Sequence, residues 1–181
     1  MSAGHAPPGA AEAGVDPQRF REVMGSFATG VAVITSSADG EPAGMTVNSL
    51  TSVSLEPAQL LVCLKRGTRT AAAVAARGWF AAHVVGRDGE EVSMRFARPG
   101  GERFAGGRVA VDEFGLPALP GAVARMVCRA AAIHDGTTHD IVVGRVVHGD
   151  TDPRAWPLVF FRGRFDTLTG SGHEADIDWY W

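Results

Sequence analysis

The stretch GMTVNSLTSVSLEP, residues 44–57, decides how this chain is interpreted, because it is polar and joins two apolar segments. Nine of its fourteen residues are Gly, Thr, Ser, Asn, Glu or Pro, and the apolar run QLLVCL, residues 59–64, follows it. A connection that only reverses the chain is usually far shorter. The stretch therefore predicts a ligand-binding segment with hydroxyl and amide groups as donors and acceptors, or else a loop whose side chains bond its own backbone.

A cationic segment, KRGTRT at residues 65–70, follows the second apolar run. It lies where an Ala-rich helical pattern begins, and the N-terminus of a helix favours anions. We therefore assign Arg66, Thr68 and Thr70 as phosphate contacts, with Arg69 as a substitute for Arg66. The alternative is a solvated basic turn with a helix cap. Together, the polar stretch and the cationic segment predict a nucleotide cofactor.

The bulk composition is that of an ordinary globular domain. The chain has 181 residues, of which 45% are hydrophobic and 20% charged, and its formal net charge is −3. This charge, without a basic stripe carrying aromatic residues, argues against nucleic acid as a partner. No apolar run is long enough to span a membrane, and the N-terminus lacks the pattern of a signal peptide. We expect a cytoplasmic protein with no membrane partner.

Cysteine and histidine spacing gives little sign of a metal site. Cys63 and Cys128 each lie in an apolar segment, which predicts two buried thiols, with a disulfide or redox pair as the alternative. His134 and His139 have no third ligand at a suitable spacing, so we predict no bound metal.

The first helix has clear start signals. Asp16 can cap it and Pro17 suits its first position, while Gly30 is expected to end it in a left-handed turn. One apolar stripe recurs at helical spacing and consists of Phe20, Val23, Met24 and Phe27. The preceding residues, 1–15, are rich in Ala, Gly and Pro and predict a disordered arm.

Strand periodicity dominates the rest of the chain. Strands are predicted at residues 31–36, 42–47, 59–64, 79–85, 122–133, 140–148 and 158–168, with a hairpin turn at Asp39-Gly40, a weak strand or turn at 109–114 and a turn at 135–138. Thr68 or Thr70 is expected to cap a second helix ending near Gly78. A capping box from Asp88 to Glu91 predicts a third helix through Ala97, followed by a loop over residues 98–107.

This order of elements predicts a mainly β protein with peripheral helices, arranged as an antiparallel barrel. Its domain is expected to cover residues 16–170, followed by a C-terminal tail, 171–181, that ends in three aromatic residues. No glycine-rich dinucleotide motif or P-loop is present in the sequence, so a Rossmann or NTPase fold is not favoured.

The chain resembles the flavin reductase family, whose members have a split β-barrel that binds FMN or FAD. The resemblance extends from Phe20 to Leu168. It is carried by FATGVAVIT (27–35), residues 44–57, LVCL (61–64), SMRFA (93–97), RFAG (103–106), GLPAL (115–119) and residues 139–146. Family members often have Gly-Asp-His before the return strand, where this chain has Thr137-Thr138-His139.

The resemblance implies a site along the polar stretch. The isoalloxazine ring would contact the side chains of Thr46, Asn48 and Ser49 and the backbone of Val47, and His139 would position the nicotinamide. Phe96 alone is equally well explained as a core residue. The remaining cofactor-binding residues that the resemblance implies are Gly30, Val31, Met45, Cys63, Leu64, Phe96 and Ala97.

The function implied is NADH-dependent reduction of free flavin, FAD or FMN, by hydride transfer from nicotinamide C4 to flavin N5. The reduced flavin would serve a separate monooxygenase component, and the reductase would be a homodimer. Two alternatives remain at this point. One is a flavoprotein of the same barrel class that keeps FMN as an oxidase or electron carrier, and the other is a flavin-binding module without enzymatic activity.

Overall fold

The computed structural model describes residues 14–98, 100, 103–104 and 110–168. The helices in this part of the chain are α1 (Pro17–Gly25), α2 (Arg69–Arg77) and α3 (Glu90–Ala97). The strands are β1 (Thr29–Gly30), β2 (Ala32–Ala38), β3 (Glu41–Val47), β4 (Thr51–Leu55), β5 (Ala58–Lys65), β6 (Trp79–Val85), β7 (Ala122–Gly136), β8 (His139–Thr151), β9 (Leu158–Phe161) and β10 (Arg164–Thr167).

Seven strands form one antiparallel sheet that has to be rolled. Their order is β3-β2-β6-β7-β8-β5-β4, so the two edge strands, β3 and β4, are consecutive in the chain. In a flat sheet, six strand spacings of about 4.8 Å would separate the edges by about 29 Å. The link Asn48-Ser49-Leu50 spans at most about 14 Å. The sheet therefore curls into a barrel whose two edge strands approach each other without pairing, and we define the seam as the junction of β3, the 48–50 link and β5.

A second sheet, with the order β1-β9-β10, packs beside the barrel. The barrel core is formed by the inward residues of the large sheet, among them Ile34, Val62, Leu64 and Phe80, each fully buried. A smaller cluster lies under α3 and the second sheet and includes Val33, Phe96 and Leu158. The mainly β class and the split barrel predicted from the sequence are confirmed. Within the described residues, no helix is long and apolar enough to cross a membrane.

Two helices begin at the positions that their N-cap residues indicated in the sequence. The Asp16 carboxylate accepts hydrogen bonds from the backbone N–H groups of Gln18 and Arg19, both at 3.0 Å, and Pro17 is the first residue of α1. Thr68, rather than Thr70, caps α2 by accepting from the N–H of Ala71 at 3.2 Å. Gly78 then ends α2 with a φ of 71°, a left-handed conformation that glycine adopts readily.

The predicted capping box at Asp88 is wrong. Gly89 occupies the cap position of α3 and no side chain caps the helix. A Cβ atom at position 89 would meet Val85 Cγ1 at 2.2 Å, so the tight turn from β6 into α3 requires glycine there. The Asp88 side chain lies one residue too early to cap.

Three further boundaries differ from the sequence predictions. Helix α1 ends at Gly25, capped by Ser26, so Gly30 is not its left-handed end but lies in β1. Residues 158–168 form a hairpin rather than one strand, because Arg162 and Gly163 both have positive φ, 48° and 77°, in a tight turn. The polar stretch 44–57 is largely strand, since it supplies the end of β3 and all of β4.

The predicted N-terminal arm lies outside the described residues except for its last two positions, 14 and 15. The C-terminal tail, 171–181, also lies outside them, as do most residues of the loop predicted over 98–107. The boundaries assigned to these segments therefore remain sequence predictions.

Candidate active site

A cleft of about 370 Å³ opens at the seam of the barrel. It lies between the end of β3, the link to β4, the middle of β5 and the turn that joins β7 to β8. Its lining residues are Met45, Thr46, Val47, Asn48, Ser49, Cys63, Gly136, His139 and Ile141. Seven of these are residues that the sequence analysis assigned to the site, drawn from positions up to 94 residues apart.

The Ser49 side chain holds the seam together. Thr51 pairs with Leu61 in the β4–β5 ladder, so Ser49 lies opposite Cys63 two residues further on. There the Ser49 hydroxyl accepts from the Cys63 N–H at 3.0 Å and donates to the Cys63 carbonyl at 3.3 Å. A side chain thus replaces the main-chain ladder, which leaves the backbone of the link free to face the cleft.

Thr46 plays a similar role on the opposite side of the cleft. Its hydroxyl donates to the Ser93 carbonyl of α3 at 2.7 Å. Because a hydroxyl has one proton, neither Thr46 nor Ser49 has a free donor for a ligand. The exposed Asn48 amide has no hydrogen-bond partner among the described residues. A ligand at this edge would therefore meet Asn48 and the backbone of the edge strand β3.

His139 is held by its neighbour in the β7–β8 turn. Its Nδ1 lies 2.9 Å from the Thr138 hydroxyl, and the residue pairs with Lys65 of β5 and Gly136 of β7. Within the described residues Nε2 has no hydrogen-bond partner, so it is the ring nitrogen available to a ligand. The half-buried side chain faces the cleft beside Cys63.

The cationic segment is placed next to the cleft, but its side chains are largely engaged. Arg66 contacts the carboxylates of Asp140 at 2.7 Å and Asp135 at 2.9 Å. The Thr68 hydroxyl donates to the Lys65 carbonyl at 2.8 Å in addition to capping α2. Arg69 is exposed and lines an adjoining cleft of about 380 Å³ with Thr68 and Asp140.

Several assigned residues do not present their side chains to the cleft. Thr70 and Leu64 are fully buried, Phe96 is 1% exposed and Val31 is 2% exposed. Phe96 packs edge-on against Phe104, and a Cβ at Gly44 would meet its ring at 2.7 Å. Gly30 and Ala97 are exposed but do not line the cleft. These six remain predictions, and the buried ones can reach a ligand only through their backbone.

Gly136 and Ile141 line the cleft but were not assigned from the sequence. Ile141 follows His139 at the spacing of two that places side chains on one face of a strand, and this signal was available. Gly136 had no such signal. A Cβ there would come within 2.8 Å of the His139 carbonyl, so glycine permits the close turn that carries the histidine.

The family model for the flavin reductase like domain matches residues 24–169, most of the described fold. The chain belongs to the flavin reductase family. The resemblance identified from the sequence motifs is therefore confirmed.

Individual flavin reductases support this assignment. The reductase subunit of a flavin-dependent monooxygenase from Rhodococcus jostii is 36% identical over 156 residues, which cover 86% of this chain and 80% of that protein. An FMN reductase (NADH) from Agrobacterium fabrum is 39% identical over 155 residues, 84% of this chain and 86% of that one. Among solved structures, an NADH:FAD oxidoreductase from Streptomyces globisporus, in complex with NAD and FAD fragments, superposes with a TM-score of 0.81 at 32% identity, covering 88% and 98% of the two chains.

The cleft fits the flavin that this family uses. Its volume lies in the usual range for small-molecule sites, and Met45 and Ile141 give it apolar walls. Its polar groups are the backbone of an edge strand, one amide and one imidazole. These backbone, amide and imidazole groups can form hydrogen bonds with the polar edge of a flat ring system, and none of them requires a charged side chain in the cleft.

Replacing Ser49 with alanine is expected to weaken flavin binding about tenfold. The substitution removes both bonds to Cys63, each worth about 1 kcal/mol, and so frees the 48–50 link from β5 at the wall of the cleft. Quenching of flavin fluorescence on titration with protein measures the dissociation constant. Ser54→Ala is the matched control, because it removes a similar bond, to the Pro57 carbonyl at 2.8 Å, away from the cleft. Equal affinity in Ser49→Ala and the control would contradict this role of the seam.

Proposed function

We propose that this protein is an NADH-dependent flavin reductase that supplies reduced flavin to a separate monooxygenase component. The observation that carries the proposal is the open cleft at the seam, where backbone groups, apolar walls and the free Nε2 of His139 converge. Family membership and relatives that are reductase components of monooxygenases support it.

The chain's own residues bind and orient the two substrates. When bound, the flavin accepts at N5 the hydride that NADH gives up from C4. The backbone of Met45 to Ser49 would hold the polar edge of the flavin, and Met45 and Ile141 would contact the ring. His139 would orient the nicotinamide from the side of the β7–β8 turn. No nucleophile is needed for this reaction, because the protein contributes proximity and exclusion of water.

NADH oxidation followed by absorbance tests the proposal directly. Purified protein is assayed without flavin, with FMN and with FAD. Saturable turnover that depends on added flavin is the expected result, and it also reveals which flavin is preferred. Turnover with a retained yellow flavin and no response to added flavin would identify a flavoprotein instead. Flavin binding without NADH turnover would identify a binding module.

We further propose that the protein is a homodimer that uses the outer face of α1. This nine-residue helix has no buried residue, and its apolar stripe is exposed by 49–67%. An isolated helix of this length is only marginally stable in water. A second copy that covers the stripe accounts for both the apolar composition of the face and the stability of the helix. The stripe consists of Phe20, Val23 and Met24 of α1 together with Phe27, which lies two residues beyond the end of the helix.

Replacing Phe20 and Phe27 together with serine is expected to convert the dimer to a monomer. Light scattering coupled to size exclusion at micromolar concentration measures the mass. Val111→Ser is the control, because Val111 is a single valine of similar exposure, 63%, away from α1. A wild-type protein that elutes as a monomer, or a double variant that keeps the mass of two chains, would contradict the proposal.

A further inference from the structure

We propose that Arg66 is a positioning residue that fixes the turn carrying His139, and that it is not the cation that binds the flavin phosphate. This inference rests on the proposed function, because it concerns how the same site is built. It also reverses the role that the sequence alone suggested for Arg66.

The turn that carries Arg66 and the turn that carries His139 are adjacent. Lys65 pairs with His139 at the end of the β5–β8 ladder, and the backbone N–H of Arg66 donates to the Thr138 carbonyl at 3.1 Å. The side chain of Arg66 therefore starts beside the β7–β8 turn rather than over open cleft.

All three nitrogens of the Arg66 guanidinium contact that turn. Nε contacts Asp140 Oδ1 at 2.7 Å, the second terminal nitrogen contacts Asp135 Oδ1 at 2.9 Å, and the first donates to the Thr137 carbonyl at 3.2 Å. Asp135 Oδ1 also accepts from the Thr137 N–H at 2.6 Å. One cation thus joins both ends and the middle of a turn in which Thr137 has a φ of 66°. We call Arg66, Asp135 and Asp140 the turn clamp.

The charges of the turn clamp argue against a phosphate at Arg66. Two carboxylates and the Thr137 carbonyl surround one guanidinium, so the positive charge of Arg66 is already compensated within the clamp and its donors are not available to a phosphate. The hydrogen bond to Asp140 is the main cause that raises the pKa of Arg66, which agrees with a cation already paired. The pKa of Asp135 is lowered, first by the Thr137 N–H and then by Arg66.

The clamp acts on the chemistry through His139. The imidazole is held by the hydroxyl of Thr138, a residue of the same turn. If the turn moves, the ring moves with it, and a misplacement of about 1 Å can cost about a hundredfold in rate. Arg66 is therefore expected to affect the nicotinamide step without touching either substrate.

Three variants separate the two roles of Arg66: Arg66→Gln, Asp140→Asn and Arg69→Gln, which removes an equal charge from a neighbouring position. Dissociation constants for FMN and for riboflavin, which lacks the phosphate, are measured by fluorescence. The KM for NADH and kcat are measured at saturating flavin. Hydrogen exchange of residues 136–140 reports on the turn itself.

Under the proposal, Arg66→Gln and Asp140→Asn change the same quantities in the same direction. Both speed hydrogen exchange in the turn and lower kcat/KM for NADH about three- to tenfold. The ratio of FMN to riboflavin affinity stays within about twofold in both, and Arg69→Gln leaves exchange in the turn as in the wild type.

A phosphate role for Arg66 predicts opposite signs. Arg66→Gln would then weaken FMN but not riboflavin, while Asp140→Asn would tighten FMN by removing a competing carboxylate, and either result overturns the proposal. If the wild-type protein shows no flavin-dependent turnover, the proposed function fails. Hydrogen exchange and the sign of the Asp140→Asn effect on FMN binding still decide the role of Arg66 in that case.

Discussion

Replacing His139 with alanine is expected to lower kcat/KM for NADH by about one to two orders of magnitude while leaving the flavin dissociation constant within about twofold. The imidazole lines the seam cleft, and its Nδ1 is occupied by Thr138. Among the described residues Nε2 has no hydrogen-bond partner, so it is the ring nitrogen that can bond a substrate. Under the proposed function, its loss would remove an orienting contact to the nicotinamide, and orientation contributes strongly to the rate when two rings must approach within about 3–3.5 Å.

Stopped-flow measurement of flavin reduction gives both the NADH dependence and the limiting rate. His134→Ala is the matched control, because His134 lies on the same hairpin, is exposed and does not line the cleft. His139→Asn tests orientation against proton transfer, since an amide can donate a hydrogen bond but does not titrate near neutral pH. Recovery of the rate with His139→Asn supports orientation. A His139→Ala variant with unchanged KM and rate would remove the residue from the site.

The second large effect concerns stability rather than chemistry. His83 lies on β6, is 1% exposed, and its Nε2 is 3.1 Å from the hydroxyl of Thr35, which donates to the Pro117 carbonyl. Burial, and then the charge of Arg125, lower the pKa of His83 from 6.5 to about 4. The unfolded chain therefore binds this proton below pH 6.5, while the folded chain binds it only below about pH 4.

Stability linked to His83 is fully present above pH 6.5 and is lost as the pH falls from 6.5 to 4. A difference of about 2.5 pKa units corresponds to about 3 kcal/mol in the free energy of unfolding. The lowered pKa of Asp135 contributes in the same direction, but only below its ordinary value of 3.8, outside this window.

Urea unfolding at several pH values between 7 and 4.5 measures this loss. His83→Gln keeps a polar group near Thr35 without a titrating ring, and its midpoint should fall much less than that of the wild type. His134→Gln, at an exposed position, should follow the wild-type curve. Parallel curves for the wild type and His83→Gln would show that the acid sensitivity has another origin.

The sequence predicted several parts of the fold that depend on local chemistry. Asp16 with Pro17, Thr68 with Gly78, and the Asp39-Gly40 hairpin act over a few residues, and each lies where its signal placed it. The prediction of a flavin reductase is confirmed because ordered motifs along most of the chain carry it. The single strand predicted over residues 158–168 missed the tight turn at Arg162-Gly163, because arginine gives no turn signal and an isolated glycine inside a strand pattern is ambiguous.

The site residues illustrate the limit of this reasoning. The hydroxyls of Thr46 and Ser49 were assigned to the ligand. In the structure the Thr46 hydroxyl donates instead to the Ser93 carbonyl, and the Ser49 hydroxyl donates to the Cys63 carbonyl. Likewise, the sequence predicted Arg66 as a cation available to a phosphate, whereas the fold brings Asp135 and Asp140 into ion pairs with it. A residue type shows what a side chain can bond, and only the packed chain shows what it has already bonded.

The short link between β3 and β4 has a consequence for ligand binding in the cleft. Because the 48–50 link joins the two edge strands and also supplies Asn48 and Ser49 to the wall of the cleft, ligand binding there and the separation of the edge strands would be thermodynamically linked. A flavin in the cleft would lie against this link, so its binding would favour the conformation in which the two edge strands are close together, and a separation of the edges would favour its dissociation.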